Sequence, residues 1–146
     1  MDVEFKLDPT QTTPKITVTA AALTDDVKEL LLRLEHGRPS AITALKGNQV
    51  VLLAPEHILR FFADGKTVSV QTQQDIFTVR ERLYELEELL DPHKFVRISH
   101  SEIVNLSHIT ALDLSLSGTI RMTLTGGVSC FVSRRSLKKI KQALNL

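Results

Sequence analysis

The 146-residue chain has a single cysteine, Cys130. An intrachain disulfide is thereby excluded, and a reducing compartment fits. Val128 and Val132 flank Cys130 at alternate positions, which is the pattern of a buried strand residue rather than a reactive thiol. No apolar run approaches the ~18 residues of a membrane-crossing helix. The first residues, with Asp2 and Glu4, hold no apolar core of signal-peptide type. A cytoplasmic protein without direct membrane insertion is expected. Catalytic motifs are missing as well: there is no Gly-rich phosphate loop, no GxSxG and no CxxC. His36, His57, His93, His100 and His108 lack the close spacing of a metal site. Glu85, Glu87 and Glu88 suit a solvated helix face better than a general-acid pair. No catalytic residue, metal or cofactor is expected, and the chain does not read as an enzyme.

What the chain does have is an uneven charge distribution. The net charge is only +1, yet residues 93–146 carry eight Lys and Arg against two Asp and Glu. Residues 75–92 carry two against six, and residues 1–55 carry six against seven. The last fifteen residues hold five cations and no acid. Such sign asymmetry points toward an anionic partner. A hydrophobic content of 42% is enough for a real core.

The pattern along the chain predicts two units. In residues 1–54, Val3, Phe5 and Leu7 alternate with charged residues, and Ile16, Val18 and Ala20 alternate again, as strands would. A helix then starts at Thr24 as N-cap, with Asp25 and Asp26 complementing its dipole. Its apolar residues Val27, Leu30, Leu31 and Leu34 fall on one face, Glu29 and Arg33 can pair, and Gly37 and Pro39 end it. A hairpin over Ala41–Leu45 and Gln49–Ala54 turns at Gly47-Asn48. This small α/β unit could regulate or dimerise, for instance through a strand edge. Pro55 marks the expected boundary. In residues 55–146, strands are predicted at Ile58–Ala63, Thr67–Gln71, Ile76–Val79, Phe95–Ser99 and Ile103–Leu106. Thr78 is a candidate cap for a helix carrying Val79, Leu83, Leu86 and Leu90, stopped by Asp91-Pro92. A hairpin follows, turning at Ser117-Gly118, then a strand Val128–Val132 and a last helix from about Arg134. The expected class is α+β: a mostly-β domain of antiparallel hairpins with short helices, behind a small α/β unit.

Two segments draw the polar chemistry together. One is FVRISHSEIVNL, from Phe95 to Leu106, whose Arg97, Ser99, His100 and Ser101 cannot all be buried cheaply. The other is VSRRSLKKIK, from Val132 to Lys141. With Ser133 as N-cap, Arg134 and Arg135 occupy the first helical turn, where the helix dipole disfavours cations. A bound phosphate or guanine edge would compensate, through backbone N–H groups and both guanidiniums. Lys138, Lys139 and Lys141 add sequence-independent attraction for phosphate.

FVRISHSEIVNLSHI followed by VSRRSLKKIK resembles the LytTR-type DNA-binding domain. The matching residues are Phe95, Arg97, Ser101, Val104, Asn105, Ile109, Ser133 and Arg134, and HILRFFADGKTVSVQT is similar to the family's opening strand. Ser99, His100 and Glu102 depart from the usual His, Arg or Lys, and aromatic residue. The resemblance, over about residues 55–146, implies a mostly-β domain that inserts loops into successive major grooves of double-stranded DNA. By position, base contacts fall on Lys66, Ser99, His100 and Arg135. Phosphate contacts are expected from Arg97, Arg134, Lys138, Lys139 and Lys141, with Ser101 beside them. Family members bind direct repeats as homodimers, and many carry a receiver domain, for which residues 1–54 are too short. The chain is therefore similar to stand-alone LytTR transcriptional regulators, whose signal comes from a membrane-bound regulatory protein. The competing expectation is a protein-interaction module or anti-activator that keeps the fold and has lost DNA binding.

Overall fold

The computed structural model describes residues 1–114 and 120–145. The chain divides into two compact units, Met1–Gly37 and Arg38–Leu146.

The first unit contains one regular element, helix α1 (Asp25–His36). Thr24 Oγ1 accepts from the N–H of Val27 at 3.4 Å, and Glu29 pairs with Arg33 at 3.2 Å. Gly37 closes the helix at φ +67°, a left-handed conformation that glycine adopts without Cβ strain. The strands expected around residues 3–7 and 16–20 do not form. Alternating polarity stabilises a strand only where a ladder partner and a core face exist. Here Val3, Phe5, Leu7 and Ile16 are all exposed.

The second unit is built from antiparallel strands. They are β1 (Ile42–Lys46), β2 (Gln49–Leu53), β3 (Ile58–Asp64), β4 (Thr67–Thr72), β5 (Ile76–Val79), β6 (Phe95–Ser99) and β7 (Glu102–Asn105) in one sheet. Their order is β2-β1-β5-β4-β3-β7-β6. A smaller sheet of β8 (Ile109–Asp113), β9 (Ile120–Leu124) and β10 (Val128–Val132) has the order β10-β9-β8. Helices α2 (Leu83–Leu89) and α3 (Arg134–Ala143) complete the unit. The expected boundary at Pro55 is displaced, because Leu45 of β1 pairs with Thr78 of β5 and joins the 42–53 hairpin to the main sheet. The division lies after Gly37 instead.

The main sheet is buried on both faces along β3, β7 and β6. One cluster takes Ile58, Phe61, Ile103 and Phe95 together with Leu83, Leu86 and Leu90 around α2. The other takes Leu59, Val104 and Ile98 from the opposite face and packs them on Met122, Leu124, Cys130 and Ile140. Ile58 and Phe61 share a face despite an odd spacing, because the ladder slips between Ile58 and Arg60. Strands buried on both sides read as apolar runs rather than clean alternation. Thr78 does not cap α2: it lies in β5, and its hydroxyl donates to Leu45 O at 3.4 Å. The helix begins after Arg82, whose N–H donates to Glu85 Oε1 at 3.0 Å. The Ser117-Gly118 turn lies outside the described residues.

Asn105 is buried and fully used. Its amide donates to Ile58 O at 2.9 Å and Pro55 O at 3.3 Å, and its Oδ1 accepts from the N–H of Ser107 at 3.0 Å. It ties the start of β3 to the end of β7. Asn105→Leu keeps the volume but leaves those backbone groups without partners. We expect a loss of about 1–3 kcal/mol, seen as a lower urea midpoint at unchanged m value.

Candidate nucleic-acid interface

Three polar segments meet at one end of the main sheet. Strand β3 runs to Asp64 and turns over Gly65 and Lys66 into β4, with Gly65 at φ +62°. Strand β6 turns over His100 and Ser101 into β7. Phe62 faces Glu102 across the ladder, and the N–H of Ala63 donates to Ser101 O at 2.8 Å. The two turns are therefore neighbours. The start of α3 joins them, because the N–H of Ser133 donates to Ile98 O at 3.0 Å, one residue from Ser99. Lys66, Ser99–Ser101 and Arg134–Arg135 share this end.

Each segment is shaped locally. Ser133 caps α3: its Oγ accepts from the N–H of Ser136 at 3.2 Å and donates to Ser136 Oγ at 2.9 Å. Ile140 is buried, with Leu137 and Leu144 packed around the same core, so the opposite face carries the charge. Arg134, Arg135, Lys138, Lys139 and Lys141 are exposed, and among the described residues none has an acidic partner. Lys141 sits in the last turn, where the dipole favours it, whereas the arginines sit where it does not. In the β6–β7 turn, Ser99 Oγ accepts from the N–H of Ser101 at 3.2 Å and lies 3.4 Å from Ser101 Oγ. His100 and Ser101 are exposed, and Ser99 is half-buried.

Arg97 differs from the other expected contacts. Its Nε donates to Ser99 O at 3.0 Å, its Nη2 to His100 O at 2.5 Å, and its Nη1 to Glu87 Oε1 at 3.0 Å. All three guanidinium nitrogens are engaged inside the protein.

A network that the sequence reading missed lies directly behind the turns. Arg60 donates through Nε to Gln71 at 2.8 Å and through Nη1 to Glu102 at 3.1 Å, and it stacks 4.5 Å from the centroid of Phe62. Both partners of the Arg60–Glu102 pair are more than four-fifths buried, at 17% and 18% exposed. The departure of Glu102 from the aromatic that the family resemblance implies was the available signal for this pair. Cys130 lies 3.6 Å from Arg60 Nη1; burial and the Glu102 carboxylate push its thiol up to about 12, which leaves it unreactive. At the far end of the sheet, His108 Nε2 donates to Glu56 O at 2.7 Å, and Nδ1 lies 3.0 Å from Thr125 Oγ1. His108 thus pins the approach to β3 to the β9–β10 connection.

Among the described residues, no group of His, Cys, Asp and Glu is placed to hold a metal, and no helix is long and apolar enough to cross a membrane. The sequence profile of the LytTr DNA-binding domain matches residues 48–145. An uncharacterized HTH-type transcriptional regulator of Staphylococcus aureus strain NCTC 8325 is 30% identical over 147 aligned positions, covering 100% of this chain and 99% of its own. Its counterpart in strain COL has the same identity and coverage. A solved LytTr DNA-binding domain from Bacillus cereus superposes with a TM-score of 0.70 at 23% identity, over 74% of this chain and 99% of that domain. The fold, the profile and the full-length relatives agree, and the chain belongs to the LytTr DNA-binding domain family.

Proposed function

We propose that this protein is a transcriptional regulator that reads double-stranded DNA with the end of the main sheet where Lys66, Ser99–Ser101 and the start of α3 meet. The observation that carries this reading is the first turn of α3. Two exposed arginines stand at the positive end of a Ser-capped helix, against the local electrostatic preference, beside a polar turn. Phosphate or a base edge answers both the orphan N–H groups and the guanidiniums. The family membership and the names of the relatives point the same way. In this reading Arg135, Ser99 and His100 contact bases in the major groove. Arg134, Lys138, Lys139 and Lys141 contact phosphates, and so does Lys66, moved here from the base contact of its motif position because an exposed single ammonium suits a phosphate as a point charge; Ser101 supports the turn. Two copies on direct repeats, a cytoplasmic setting and control by a membrane-bound regulatory protein belong to the same proposal. The N-terminal segment serves dimerisation or regulation in it, offering the exposed Leu31 and Leu34 of α1.

Selection of bound sequences from a random duplex library tests this directly, because a regulator of this kind enriches a motif and its repeat spacing together. On the selected duplex, Arg135→Ala is expected to weaken binding by about 1–3 kcal/mol and to relax preference at one position. Unchanged affinity in that variant removes Arg135 from the reading surface.

A further inference from the structure

The β6–β7 turn is held from behind by one side chain. Strand β6 slips its register between Arg97 and Ser99, so the chain bulges as it enters the turn. A bulge re-aims the residues after it, and something must fix their new direction. Arg97 donates to two successive carbonyls, those of Ser99 and His100, at 3.0 and 2.5 Å. Two bonds from one planar fork set the tilt of both peptide planes, and with them the directions of His100 and Ser101. The fork itself is anchored by Glu87 of α2 at 3.0 Å. Only a quarter of the Arg97 side chain is exposed, at 25%, and the Glu87 carboxylate offsets its charge. A phosphate-binding arginine would present free N–H groups to solvent, as Arg134 and Arg135 do.

We propose that Arg97 is a positioning residue: anchored by Glu87, it sets the Ser99–Ser101 turn for base reading and makes no DNA contact of its own. This rests on the DNA-binding reading above. It gives the acidic face of α2 a role in specificity through an arginine that motif position alone would assign to phosphate. Lysine cannot replace such a fork, because a single ammonium does not orient two carbonyls.

The test compares the full chain with Arg97→Lys and Glu87→Ala, on the duplex selected from the random library and on a scrambled duplex of equal length, across a salt series. For Arg97→Lys the expected result is a loss of about tenfold or more on the selected duplex, with scrambled-duplex affinity and salt slope unchanged. Glu87→Ala should lower the ratio of selected to scrambled affinity in the same direction by a smaller factor. A phosphate contact predicts the opposite pattern. Lysine would then keep both affinities, and removing Glu87 would free Arg97 and raise both affinities at a constant ratio. Either of those results overturns the proposal. Thermal melts accompany each variant; if Arg97→Lys does not fold, the Glu87→Ala arm decides, since Glu87 lies on an exposed helix face. A wild-type chain that never prefers the selected duplex overturns the DNA-binding reading and this inference together. Preference that survives both substitutions overturns this inference alone.

Discussion

Phe61→Ala is expected to destabilise the second unit by about 3–5 kcal/mol, enough to leave the folded state marginal at physiological temperature. Phe61 is fully buried at the centre of β3. It faces Val70 across one ladder and Ile103 across the other. Its ring meets that of Phe95 at a centroid distance of 6.0 Å and a tilt of 59°, which suits the edge-to-face attraction of aromatic pairs. Removing it opens a void bounded by strands of the central sheet, where backbone ladders on both sides prevent collapse. The same strand positions Lys66 and, through Ala63, the Ser101 turn. Loss of DNA binding should therefore track loss of fold, whereas Arg135→Ala should leave the fold intact. Denaturant titration of both variants separates the two. A Phe61→Ala chain within 1.5 kcal/mol of wild type would show that the β3 core repacks.

Much of this architecture was legible in the residues, and the failures have particular causes. The hairpin turns at Gly47-Asn48 and Asp64-Gly65 announced themselves because only glycine takes the required left-handed φ cheaply, and the structure has Gly47 at +59° and Gly65 at +62°. The caps Thr24 and Ser133 were readable because a short hydroxyl before a periodic run has one favourable use. Thr78 misled because the same hydroxyl residue is also a good strand former, and a neighbouring strand that is distant in sequence took its side chain. The N-terminal alternation misled because period-two patterning records a preference for a half-buried sheet, and whether a ladder partner exists is a tertiary matter. The boundary at Pro55 failed for a related reason: Leu45–Thr78 pairing spans 33 residues of sequence, which no local signal reports.

The site divides in the same way. The place of Arg134 and Arg135 in the first turn of α3 was legible because Ser133 reads as an N-cap before a periodic run. The partners of Arg97, two carbonyls of its own turn and a carboxylate on α2, were not legible, because a motif position does not say which way a side chain faces. Glu102 stood out as a departure from the family pattern, but its pairing with Arg60 escaped notice because Arg60 looks like an ordinary charged residue until β3 and β7 are placed side by side. Their pairing 42 residues apart, with Gln71 and Cys130 as further neighbours, makes the backing of the two turns polar but satisfied.

The strongest solution test of the interface is its dependence on salt. Five exposed cations are assigned to phosphate: Lys66, Arg134, Lys138, Lys139 and Lys141. Each phosphate neutralised releases about 0.9 of a counterion from duplex DNA, so the logarithm of affinity should fall with the logarithm of salt at a slope of about −4.5. Raising monovalent salt from about 50 to about 200 mM then costs on the order of 500-fold in affinity, roughly 3.7 kcal/mol. The net charge of +1 would not suggest so steep a response; the clustering of cations on one helix face does. Arg97 sharpens the expectation, because counting it as a sixth contact would steepen the slope to about −5.4. Lys138→Gln should flatten the wild-type slope by about 0.9, while Arg97→Lys should leave it where it stands. A slope near zero, or no binding to any duplex at the lowest salt, would instead favour a partner-binding module that keeps this fold and uses its basic helix on an acidic protein surface.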